Sequence, residues 1–158
     1  MWWTRALLQE YFDTLDYHAS HPEPNGILVA AETGSVQDYL NKERAVLLRC
    51  APEWHIVDDP DKASVFIYYK LTRKRLTYVS DNGKTLGVNV GTAVFTAVDS
   101  QTGDTIAEVS FQGEAPEETY GSGGENYLYD PDVDRLENDS QFRAFVSAIR
   151  EHLEGAPS

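Results

Sequence analysis

A single cysteine, a single methionine and only 13 Lys and Arg residues occur in a chain of 158. Each scarcity excludes something. One cysteine, Cys50, forbids an intrachain disulfide and any cysteine-rich zinc site. The apolar runs are a handful of residues long, against the about 20 that a spanning helix needs. The 13 bases face 26 acids, for a net charge of −13. That balance argues against general nucleic-acid binding and against docking on anionic membrane, because both would repel the protein. No Gly-x-Ser-x-Gly elbow is present. The opening Met1-Trp2-Trp3-Thr4-Arg5 does not read as a secretory signal, since Glu10, Asp13 and Asp16 interrupt the apolar region. As given, the chain reads as cytoplasmic, or as periplasmic or envelope-bound if an export signal has been removed from it.

Hydrophobic residues make up 41% of the chain, enough to fold and to build a real core in one domain over 1–158. Trp3, Leu7, Leu8, Tyr11, Phe12 and Leu15 recur at helical spacing and predict an amphipathic helix over 2–18. Two prolines and a glycine make 19–26 a linker. Ile27–Ala31 is a continuous apolar run, the mark of a buried strand. Ser35, with Asp38 three residues on, predicts a helix start, and Pro52 its end near Cys50. The helix would turn Val36, Tyr39, Leu40, Leu47 and Cys50 inward, so Cys50 reads as a buried structural thiol. A short strand at Trp54–Val57 completes a βαβ-like opening.

The middle of the chain reads as an antiparallel meander with one wet face. Val65–Leu71 and Leu76–Val79 are two strands, and Asp81-Asn82-Gly83-Lys84 is a hairpin turn. Leu86–Val98 follows, with Gly87 and Gly91 marking a bulge or a close approach. Asp99–Asp104 turns back into Thr105–Phe111, whose Ala107, Val109 and Phe111 face one way. Residues 113–139 lack apolar periodicity and form an acidic, Gly- and Tyr-bearing loop. A last helix over 140–154 is capped by Asp139 or Ser140 and repeats Phe142, Phe145, Val146, Ile149 and Leu153. The fold class is α+β, a mixed, mainly antiparallel sheet with two or three helices packed on it.

Candidate chemistry is sparse, and no catalytic residue is assigned. His55 sits in a strand as a hydrogen-bonded structural histidine. His152 suits the negative end of its helix. His18-x-x-His21 lacks the spacing of a zinc-protease motif, and the glycine-rich 120–126 stretch lacks the lysine and helix of a phosphate loop. Asp130, Asp132, Asp134, Glu137 and Asp139 offer the alternating oxygens of a calcium loop. Arg135 replaces its glycine and Gln141 its terminal glutamate, so any calcium site there is weak. No other cofactor is expected.

Charge layout is more telling. Residues 113–139 hold nine acids against one base, and residues 62–84 hold six bases against one acid. The two either neutralise each other or form a polar interface. In the second reading Glu117 and Glu118 attract a basic partner, and Tyr120, Tyr127 and Tyr129 anchor it.

The run Val98-Asp99-Ser100-Gln101-Thr102-Gly103-Asp104-Thr105-Ile106 resembles the D-x-x-T-G-E hairpin of bacterial envelope lipoproteins, of the curli-secretion and penicillin-binding-protein-activator type. Val57–Ile67 resembles their strand and acidic turn. The resemblance spans about residues 27–112 and implies a small non-catalytic accessory domain. The expected function is a non-enzymatic binding or accessory module with a protein partner, no nucleic acid and no membrane insertion. The alternatives are an inhibitor or immunity-type protein masking a basic partner, and a carboxylate-dependent hydrolase.

Overall fold

The computed structural model describes residues 3–15 (the side chains of 12–15 excepted), 21–32, 40–115 and 128–155. Helix α1 (Arg5–Leu15) is followed by β1 (Gly26–Ala31), α2 (Asn41–Cys50), β2 (His55–Ile56), β3 (Val65–Val79), β4 (Thr85–Asp99), β5 (Thr105–Gln112), β6 (Leu128–Tyr129) and α3 (Ser140–Gly155). Two 3-10 helices, Pro60–Lys62 and Val133–Asn138, stand before β3 and α3. The strands form one mixed sheet in the order β2-β1-β3-β4-β5, with β6 also on β4. Pairing of β1 with β2 and with β3 is parallel. The β3–β4 and β4–β5 connections are too short for a crossover, so those pairs are antiparallel. An α+β architecture is therefore what this sequence builds.

The chain divides into two compact units: Met1–Lys70, Val94–Val109 and Val133–Ser158 in the first, Leu71–Ala93 and Ser110–Asp132 in the second. In the first unit β1 is buried along its whole length, as its unbroken apolar run requires. Leu8, Leu28, Ala30, Val57, Ala63, Phe66, Tyr68 and Val98 form a core cluster, with Trp3 packed against it. Phe95 gathers a second cluster, its ring 5.1 Å from Tyr69, 5.3 Å from Phe142 and 6.2 Å from Phe145. Asp139 caps α3: its Oδ1 accepts from the backbone N–H groups of Gln141 at 2.8 Å and Phe142 at 3.1 Å.

Several expectations are corrected. Trp3 and Thr4 precede α1 rather than joining it. Thr4 pairs with Ala31 as an isolated parallel bridge, and its Oγ1 accepts from Leu7 N–H at 3.2 Å. Helix α2 begins at Asn41, after a non-helical Leu40 that gives no side-chain cap. Ser35 and Asp38 lie outside the described residues. Leu71 to Leu76 is not a break, because β3 runs unbroken from Val65 to Val79. Its Arg73-Lys74-Arg75 stretch is charged because it is exposed, not because the strand stops. Residues 113–139 are not wholly irregular, since they hold β6 and the second 3-10 helix. There Val133 and Leu136, too few for a visible period, are both buried.

The Asp99–Asp104 turn explains its own motif. Asp99 Oδ1 accepts from the N–H groups of Gln101 and Thr102, and Thr102 Oγ1 accepts from that of Asp104. Gly103 supplies the left-handed φ of 78° that closes the loop. At the other hairpin only Gly83, with φ 80°, is left-handed.

Candidate interaction surface

The second unit is built on the far halves of β3 and β4. From Thr72 to Thr77 every residue of β3 is exposed, so neither face of this stretch is buried. The turn is tied by Ser80 N–H to Lys84 carbonyl at 2.8 Å and by Gly83 N–H to Ser80 carbonyl at 2.9 Å. Among the described residues, β1 pairs with β3 only up to Ala31 against Tyr69. The charged side chains beyond that point protect an edge strand against aggregation. Lys74, Arg75 and Lys84 make no ion pair among the described residues. Apolar side chains lie among them: Val79 is 70% exposed and Leu76 36%. Leu128 of β6 is 54% exposed.

The acidic segment meets this unit through its described ends. β6 pairs in parallel with β4, Leu128 against Asn89 and Tyr129 against Val90. Tyr129 is half-buried, and its carbonyl lies where a Cβ on Gly113 would sit. Asp130 binds the Arg73 guanidinium through both oxygens, at 3.2 and 2.9 Å. Its carboxylate also lies against Gly91, and the Arg75 guanidinium against Gly87, so each glycine admits the close approach of a side chain. Glu117, Glu118, Tyr120 and Tyr127 lie outside the described residues.

The five candidate calcium ligands take different places. Asp130 and Asp132 belong to the second unit, and Asp134, Glu137 and Asp139 to the first. Glu137 binds Arg49 at 3.0 Å and Asp139 caps α3. Among the described residues no three His, Cys, Asp or Glu side chains gather as a metal-ligand group.

The three described histidines have acidic partners. His55 Nε2 lies 2.6 Å from Glu23, and His21 Nδ1 3.4 Å from Asp61. His152 Nε2 donates to Asp99 Oδ2 at 2.6 Å. Asp99 thus serves its turn with one oxygen and α3 with the other. Burial works to raise the Asp99 pKa, but the His152 hydrogen bond and the Thr102 and Gln101 N–H groups bring it below its ordinary value. Cys50 is not fully buried. It stands half-exposed in the wall of a recess, where burial first, then Glu137, raises its pKa.

Glu43 was not foreseen. It shares the buried face of α2 with Val46 and Leu47, at i, i+3 and i+4. Its Oε2 has no hydrogen-bond partner among the described residues, and burial raises its pKa. The periodicity was there to find, but a carboxylate is not expected on a buried stripe.

No protein-family model and no curated protein matches this chain. Among solved structures it is similar to a minor lipoprotein from Acinetobacter baumannii, at 8% identity and a TM-score of 0.32, over 82% of this chain and 89% of that one.

Proposed function

We propose that the chain is a non-enzymatic accessory module that binds a protein partner through its second unit. The observation that supports this is the solvent-facing half of β3, which carries Leu76 and Val79 among Lys74, Arg75 and Lys84. Ordering a strand costs about 1–2 kcal/mol per residue in backbone entropy, and a strand exposed on both faces recovers little by burial. A partner laid on it would bury those side chains. The adjoining acidic segment adds the anchors Tyr120, Tyr127 and Tyr129 and the long-range attraction of Glu117 and Glu118. The role is the one implied by the likeness of Val98–Ile106 to envelope lipoprotein hairpins. Masking of a basic partner, as an inhibitor or immunity protein does, is the second reading. The nine acids against one base in 113–139 favour it.

The test starts from a photo-cross-linking side chain at Val79, which captures the partner in the native host. Affinity of the purified pair is then measured. Tyr127→Ala/Tyr129→Ala is expected to weaken binding by more than about 2 kcal/mol with little change in folding stability. Glu117→Lys/Glu118→Lys should mainly slow association and flatten its salt dependence. Intact affinity alongside a large loss of stability would make the tyrosines structural and overturn the proposal. A strongly basic partner would select the masking role.

A further inference from the structure

The first unit carries a recess of ≈ 350 Å³ lined by the end of α2, the second 3-10 helix and one stripe of α3. That volume lies at the small end of ligand sites, about 300–1,000 Å³. Its sign is unusual for so acidic a protein: Arg49, Arg143 and Arg150 line it, against the single acid Glu137. Arg150 is gripped by Glu53 through two bonds, at 2.5 and 2.9 Å. Arg49 donates to Glu137 at 3.0 Å and to the Asp134 carbonyl at 2.7 Å. These contacts fix two guanidinium planes in advance. Arg143 differs, being exposed and without a hydrogen bond or ion pair to its side chain among the described residues.

Uncharged donors complete the lining. Arg143, Ser147 and Arg150 stand at i, i+4 and i+7 on α3, so they share one face. Asn138 brings an amide, and Cys50 a thiol whose raised pKa keeps it protonated at neutral pH. Donors from three elements therefore line a space whose own lining holds one carboxylate, with Glu53 engaged on Arg150. A planar carboxylate would satisfy one wall, whereas a tetrahedral dianion presents oxygens to several walls at once.

We propose that this recess binds a phosphate dianion, either free or as the head of a small phosphomonoester, with Arg143 as the guanidinium that closes on it. Cys50, the only cysteine in the chain, is a built-in reporter. Its alkylation by iodoacetamide is followed at fixed pH in sodium phosphate, and in sodium chloride and sodium acetate of equal ionic strength. Phosphate is expected to slow alkylation about fivefold or more, to saturate, and to raise the melting temperature. Arg143→Gln, an exposed position that leaves the fold intact in chloride, should weaken phosphate protection about tenfold or more, as the loss of one charge-assisted bond requires. Ser147→Ala should weaken it less, and Lys84→Gln in the second unit not at all. Glycerol phosphate protecting at lower concentration than inorganic phosphate would identify a phosphomonoester, and equal potency free phosphate. Equal protection by acetate or chloride, an alkylation rate indifferent to phosphate, or an undiminished effect in Arg143→Gln would each overturn the proposal.

Discussion

An alanine at Gly113 would drive its methyl group into the backbone carbonyl of Tyr129. Backbone cannot step aside as a flexible side chain does, so β6 would have to lift from β4. Gly113→Ala is expected to cost about 2–4 kcal/mol by urea denaturation. Gly103 is a different case. Nothing stands within 4 Å of a Cβ there, and only its φ of 78° resists alanine. Gly103→Ala should therefore cost about 1–2 kcal/mol. Equal costs would mean that the β6 contact yields easily. Asp99 sets a second test at this scale. Its pKa is depressed on folding, so the folded protein holds fewer protons than the unfolded chain through the carboxylate range. Its contribution is complete above about pH 5 and is lost as pH falls through the depressed value. Asp99→Asn should lower stability at neutral pH, and the gap from wild type should shrink on acidification. A gap constant with pH would show that the His152 contact carries no proton linkage.

Helix α3 shows how an element is fixed at both its end and its face. Asp139 takes two N–H groups that the helix leaves unpaired, and Asp139→Ala should cost about 1 kcal/mol. Phe145 is only 3% exposed and packs against both Phe95 and Phe142, so Phe145→Ala should cost about 3–5 kcal/mol through lost transfer energy and a cavity. Thermal melts separate the two, and an unmoved transition for Phe145→Ala would mean that α3 does not dock through this ring. Both features were legible in sequence, because a cap and a 3.6-residue period are local signals. So was β1, whose neighbours bury both of its faces and leave an unbroken apolar run. The unity of β3 was not legible: a strand with both faces in water alternates in nothing, and Lys70–Arg75 imitates a loop. Nor was the arginine recess. Arg49, Glu137, Arg143 and Arg150 meet only because α2 packs on the second 3-10 helix and α3.

At the scale of the molecule, charge and fold answer to different rules. The net −13 keeps copies of the chain apart in solution and speeds encounter with a cationic surface, yet it selects no fold. Selection comes from burial, and the buried groups are distant in sequence. Leu8 and Val98 share one cluster, and Phe95 packs on Phe142. The order in which a ribosome delivers the chain makes this matter. Strand β1 emerges before β2 and β3, the strands that flank it among the described residues, have been made. Phe95 emerges long before the helix that covers it. Until α3 leaves the tunnel, Tyr69 and Phe95 lack the Phe142 and Phe145 side chains that pack on Phe95, leaving the kind of surface that holdase chaperones recognise. A message cut short ahead of Ser140 would thus yield not a smaller version of this protein but a client for proteolysis.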